Sequence, residues 1–127
     1  MFEVRVETTF EAAHHVGPDG AHLPLHHHLW QVAVRARAEE LNSVGLVVDF
    51  RQLHAAAEEA VAVLDQRVIE DVPDFAGRPS TPAAVAEWLF ERLESAVPSP
   101  RCWLEAIEVE ADPGIRFEYS GARLDPD

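Results

Sequence analysis

Two runs of strict alternation constrain this chain more than any other feature. Phe2, Val4, Val6, Thr8 and Phe10 fall on one side of an extended backbone, with Glu3, Arg5 and Glu7 on the other. Trp30, Val32, Val34 and Ala36 repeat the pattern against Gln31, Arg35 and Arg37. Successive side chains of a strand point to opposite faces, so a period of two marks a strand with one buried face. The segment Gly17-Pro18-Asp19-Gly20 reads as a loop between the runs, and Asn42-Ser43 ends the second.

The period then changes. Asp49 is a good N-cap with Gln52 as its capping-box partner, and Phe50, Leu53, Ala57, Val61 and Leu64 form an apolar stripe. That predicts a helix. Beyond Pro73, Gly77 and Pro79, Thr81 caps a second helix with Pro82 at its first position. Val85, Trp88, Leu89 and Leu93 mark its buried face, and Pro98 and Pro100 stop it. Closing strands are expected around 102–111 and 115–119, joined by Asp112-Pro113-Gly114. The order ββααββ describes an α+β domain with an antiparallel sheet on two helices. A chain of 127 residues suits one domain, expected over 1–122 with a frayed tail at 123–127. Its size suffices for a core without staples, and the only cysteine, Cys102, is expected to serve packing.

Charge narrows the partners. Ten Lys+Arg, all of them arginine, face 23 Asp+Glu, for a net charge of −13. Such a surface repels phosphate backbones, so no nucleic-acid partner is expected. The lack of lysine excludes Schiff-base catalysis and a P-loop. No window approaches the roughly 18 apolar residues of a membrane span. The start Met1-Phe2-Glu3-Val4-Arg5 has no signal-peptide character, and a cytoplasmic location is expected.

Six of the seven histidines lie between His14 and His28. His14 continues the even series of Phe10 and Ala12, while His26 and His28 precede Trp30 and Val32 in another. If the two strands pair as a hairpin, the three imidazoles meet at one end of one face. Three neutral imidazoles with an open fourth position make the catalytic kind of zinc site. His15 and His27 have the opposite parity and should point away. His22, placed in the loop, could be a spare ligand, a general base or a solvated side chain. His54 lies beside the helical stripe and reads as structural. Glu108 and Glu110 share parity, giving either a solvated acidic face or a carboxylate that grips a ligand's paired N–H donors. Asp65 is equally open, because a helix C-terminus is a poor place for an anion.

Four segments together carry a resemblance. Phe10-Glu11-Ala12-Ala13-His14 looks like Phe-x-Ala-x-His, and His26-His27-His28-Leu29-Trp30 like His-Gly-His-x-Tyr. Gly45-Leu46-Val47-Val48-Asp49-Phe50 looks like Gly-Met-Val-x-Asp-Phe, and Val109-Glu110 falls where a pterin-gripping glutamate is placed. The chain thus resembles the 6-pyruvoyl-tetrahydropterin synthase family, which includes the bacterial 6-carboxy-tetrahydropterin synthases of queuosine biosynthesis. The resemblance implies the tunnelling fold, with sheets of several subunits joined into barrels, commonly as hexamers. It also implies zinc on His14, His26 and His28, with Glu110 and Thr81 as substrate-binding residues.

The catalytic half departs from that pattern. His22 stands where the family has its reactive cysteine, and Asp65-Gln66 replaces an Asp-His pair. Ser80-Thr81-Pro82-Ala83-Ala84 replaces Pro-Thr-x-Glu-Asn, and Ala111 replaces a threonine. The expectation is zinc-dependent, lyase-type chemistry on a reduced pterin or related bicyclic heterocycle, with His22 and Asp65 as candidates for proton transfer. A triphosphate would have to rely on zinc and on Arg67, Arg78 or Arg116, which argues against triphosphate elimination. The alternative is a non-catalytic pterin- or purine-binding homologue that keeps the zinc site.

Overall fold

The computed structural model describes residues 1–16, 21–97 and 100–121. Strands β1 (Phe2–Val16) and β2 (His22–Ala38) form a long antiparallel hairpin, followed by helix α1 (Phe50–Ala62) and the two-residue strand β3 (Arg67–Val68). Two 3-10 turns, Ile69–Asp71 and Pro73–Phe75, lead to helix α2 (Pro82–Leu93) and then to β4 (Cys102–Glu110) and β5 (Arg116–Tyr119). The sheet order is β3-β1-β2-β4-β5. Helix α1 packs on β1 and α2 on β4 and β5.

The expected ββααββ order therefore gains a fifth strand, and the sheet is mixed rather than wholly antiparallel, because β3 runs parallel to β1. Two residues are too few to show alternation. The strand exists because the end of α1 is tied to β1: Gln66 donates its N–H to the Glu11 carbonyl at 2.6 Å. Gln66 holds a positive φ of 62° there, the sharp turn that swings the chain into β3. His22 also moves from loop to strand, pairing with Val16 at the start of β2. The expected loop at 17–20, Pro98 and the tail at 123–127 lie outside the described residues.

The alternating residues do bury one sheet face. Phe10, Trp30, Val32 and Val34 meet Leu53, Ala57, Val61 and Leu64 of α1 and its end, and Val85, Trp88, Leu89 and Leu93 of α2. Burial of each large apolar side chain contributes about 1.5–3 kcal/mol. Phe10 and Trp30 stack with centroids 5.5 Å apart, and the indole Nε1 donates to the Ala12 carbonyl at 3.2 Å. Asp49 accepts the N–H groups of Arg51 and Gln52, and Thr81 accepts that of Ala84, so both predicted caps form. Phe50 departs from the predicted stripe and stays 45% exposed, since the first residue of α1 precedes the turn that reaches the sheet. Helix α2 ends at Leu93, ahead of its expected stop, and tightens into a 3-10 turn over Glu94–Ala96. Cys102 is fully buried in the core. No helix among the described residues is long and apolar enough to cross a membrane.

The opposite sheet face carries the charged residues. Glu108, only 7% exposed, receives Arg5 at 3.1 Å, Arg35 at 3.1 Å and Arg116 at 3.2 Å. Burial alone would raise its pKa, but hydrogen bonds from Arg5 and Arg35 outweigh that and hold it below the ordinary glutamate range. A depressed carboxylate contributes stability above its unfolded pKa of about 4.3, and that stability is lost as pH falls through the lower folded value. Glu108→Ala is expected to cost about 2 kcal/mol at neutral pH, because three guanidinium groups lose a partner. Urea denaturation at pH 7 and pH 3 checks this: the difference between variant and wild type should shrink at the acid end.

Candidate metal centre

The hairpin register builds the site. His14 stands opposite His26, and Ala12 opposite His28, so the three imidazoles share the face of Phe10 and Trp30 at one end of the hairpin. One ligand atom from each of His14, His26 and His28 lies within 4.8 Å of the others. Ring centroids are 4.5 Å apart for His14 and His26, 5.1 Å for His14 and His28, and 4.8 Å for His26 and His28. The Trp30 ring, 5.1 Å from that of His14, forms the floor.

Two of the rings are oriented from behind by hydrogen bonds, and the third faces a carboxylate. His14 Nδ1 donates to the Ser80 carbonyl at 2.7 Å, and His26 Nδ1 to the Pro24 carbonyl at 3.0 Å. His28 Nδ1 faces the Asp112 carboxylate at 3.9 Å. A carbonyl can only accept, so the hydrogen of His14 and of His26 sits on Nδ1 and the Nε2 lone pair is left for a ligand. The Nε2 of His14 is buried and has no hydrogen-bond partner. A buried unpaired acceptor costs about 1–3 kcal/mol, which a cation at that point would offset. The donor set therefore fits a borderline divalent ion such as zinc.

The electrostatics agree with that fit. Burial pushes the pKa of His14 down, the Ser80 carbonyl opposes this, and the neighbouring His26 and His28 add to the fall. Burial lowers His28 as well, against the opposing Asp112 carboxylate. In both rings burial favours the neutral form, which is the form that can ligate.

The remaining candidates are dispersed. The His22 ring stacks on His15 at 4.9 Å and 12° and is not one of the three clustered ligands. The register slips between His14 and Val16, and Pro24, which lacks a ladder donor, sits in the slipped stretch. His15 is turned aside, with Nδ1 on the Leu23 carbonyl at 3.1 Å, and His27 is exposed. Asp65 accepts the Glu11 N–H through Oδ1 at 2.9 Å, which clamps the end of α1 to β1. Thr81 Oγ1 caps α2 at 3.2 Å from the Ala84 nitrogen, beside the Ser80 carbonyl that orients His14. Glu110 stands opposite Gln31 on the face away from the histidines, in a cavity lined by Arg5, Thr9, Gln31, Glu108 and Arg116. His54 bridges the Glu7 carbonyl and Glu58, a structural role. Ser80 and Pro24 were invisible to sequence reasoning, because they act through carbonyls that every residue possesses. Asp112 and Glu70 were missed because only tertiary register brings them here.

A mixed five-stranded sheet with two helices on one face, and a histidine triad at the end of its long hairpin, defines an α+β fold of the tunnelling type carrying a candidate metal centre. The chain belongs to the 6-pyruvoyl tetrahydropterin synthase family, whose model matches residues 3–122. A Caenorhabditis elegans relative assigned as a 6-pyruvoyl tetrahydrobiopterin synthase is 29% identical over 97 residues, covering 76% of this chain and 67% of its own. The fold is similar to that of the solved C. elegans 6-pyruvoyl tetrahydropterin synthase, with a TM-score of 0.80 at 23% identity over 95% of this chain and 96% of that one. The Plasmodium falciparum enzyme structure gives 0.75 at 18% identity over 93% and 96%. At these identities the structural likeness concerns the fold.

The lowered pKa of His14 has a measurable consequence. As pH falls below the unfolded value of about 6.5, the unfolded chain takes up a proton that the folded ring resists. Stability from this group is therefore present above that pH and lost below it. In excess chelator, the melting temperature of wild type should fall between pH 7.5 and 5.5, and the slope should flatten in His14→Gln. Equal slopes would refute the assignment.

Proposed function

We propose that this chain is a zinc-dependent, 6-pyruvoyl tetrahydropterin synthase-like protein acting on a reduced pterin or a related bicyclic heterocycle. The observation that carries this reading is the convergence of His14, His26 and His28, with a buried and unpartnered Nε2 on His14. His14, His26 and His28 would hold the zinc ion, which would supply Lewis-acid polarisation of a carbonyl or hydroxyl on the substrate side chain and so acidify the adjacent C–H. Glu110 offers its carboxylate to the paired N–H donors of the heterocycle. His22 and Asp65 are the candidates for moving the proton. Asp65 would use Oδ2, since Oδ1 is committed to Glu11. Thr81 Oγ1 accepts the Ala84 N–H in the α2 cap, and its own O–H is the donor it would offer a substrate.

Charge pairing supports a substrate without a triphosphate. Arg78 is paired with Glu91 and Arg116 with Glu108, which leaves Arg67, of those three, without an ion pair among the described residues. Two positions support a second reading, a binding homologue without turnover. His22 replaces the reactive cysteine, and Gln66 lies with its amide between Glu11 and Asp65 where a relay histidine would act. Assembly into a homo-oligomer, a hexamer by likeness to the family, is supported by the edge of β1. Strand β3 covers only Ala12 and Ala13, so the stretch before them has no partner on that side among the described residues. The single free cysteine, Cys102, supports the cytoplasmic setting that is part of this reading.

Metal analysis of protein purified with zinc should show stoichiometric zinc in wild type and little in His28→Ala; negligible zinc in both would sink the metal reading. Zinc-loaded protein should then be offered dihydroneopterin triphosphate and sepiapterin, with binding and turnover followed separately. Turnover supports the enzyme, and binding without turnover supports the second reading. Glu110→Ala should weaken heterocycle binding at least about tenfold, and an unchanged affinity would remove Glu110 as the anchor.

A further inference from the structure

We propose that Glu70 is the charge-balancing carboxylate of the histidine site, a positioning residue that raises its affinity for a divalent cation without ligating it. The inference rests on the metal reading above and concerns a residue outside the triad.

The parallel pairing of Ala13 with Val68 carries the next residues of the chain, Ile69 and Glu70, along the end of β1 that bears His14 and His15. Glu70 Oε2 accepts the His15 N–H at 2.7 Å. Its Oε1 is buried and has no hydrogen-bond partner. No arginine among the described residues forms an ion pair with Glu70, although seven other carboxylates are matched with arginine across the fold. A carboxylate with one oxygen bonded and the other buried and unpaired is costly unless a positive charge lies close by. The three neutral imidazoles do not provide one. A divalent cation on them would.

Glu70 also has a purely structural role, accepting the N–H of His15. Glutamine can do the same through its amide oxygen, so Glu70→Gln removes the charge and keeps the cap. The experiment is competition of zinc and cobalt(II) against a chromophoric chelator, in wild type, Glu70→Gln and Glu70→Asp, with the melting temperature of each metal-free protein. Glu70→Gln should bind about tenfold more weakly, the effect expected of removing one nearby negative charge that touches none of the ligands. Its metal-free melting temperature should not fall. Glu70→Asp, which keeps the charge, should recover most of the affinity. Wild-type affinity in Glu70→Gln overturns the inference and leaves the metal reading standing, as does a loss in Glu70→Asp equal to that in Glu70→Gln. Failure of wild type to bind either ion overturns the metal reading and this inference together.

Discussion

The pairing of β1 with β2 is the constraint on which the rest of the molecule depends. One register places Phe10 against Trp30, Thr8 against Val32 and Val6 against Val34, and so delivers a continuous apolar face to the two helices. The same register places His14 against His26, and Ala12 beside His28. A slip of one residue would turn every one of these side chains to the other face, exposing the core and scattering the imidazoles at a stroke. Core and site are therefore selected by one geometric choice. The large apolar burial that holds the register also holds the histidines, which alone could not dictate it.

The triad lies where separate parts of the fold meet. Its outer partners come from the start of α2 through Ser80, from β2 itself through Pro24, and from the β4–β5 turn through Asp112. The carboxylate of Glu70 arrives after β3. Each supplies one contact, and none would be in place without the sheet order β3-β1-β2-β4-β5. Ring orientation is thus set by tertiary packing, and an ion at the site would in turn stabilise the packing that orients the rings. The positive φ of Gln66 belongs to this logic, since it turns the chain from α1 into the strand that brings Glu70 to the site.

The two sheet faces solve different problems. One buries apolar side chains under the helices. The other collects Arg5, Arg35 and Arg116 around Glu108, so an acidic chain with a net charge of −13 still spends three of its ten cations on one carboxylate. That arrangement gives Glu110 a polar, arginine-lined cavity within its own chain, away from the histidines. On the proposed reading, a heterocycle held by Glu110 and worked on at the triad would have to reach around the sheet end or span two copies of the chain.

Much of this was legible in the sequence, and the part that was follows from periodicity. Alternation at Phe2 to Phe10 and Trp30 to Ala36 determined the strands and the parity of His14, His26 and His28, because side-chain direction in a strand is a local property. The caps at Asp49 and Thr81 were readable for the same reason, each satisfying N–H groups two or three residues away. What sequence could not decide was everything that depends on neighbours distant along the chain. The two-residue β3, the stacking of His22 on His15, the arginine cage of Glu108 and the Ser80 carbonyl on His14 belong to that class. Phe50 is the instructive miss: its place in the apolar stripe was a correct reading of helical spacing, yet only the docking of α1 on the sheet determined that the stripe begins at Leu53. Local chemistry chose which side chains could form a metal site, and the packing of five strands and two helices decided which of them meet.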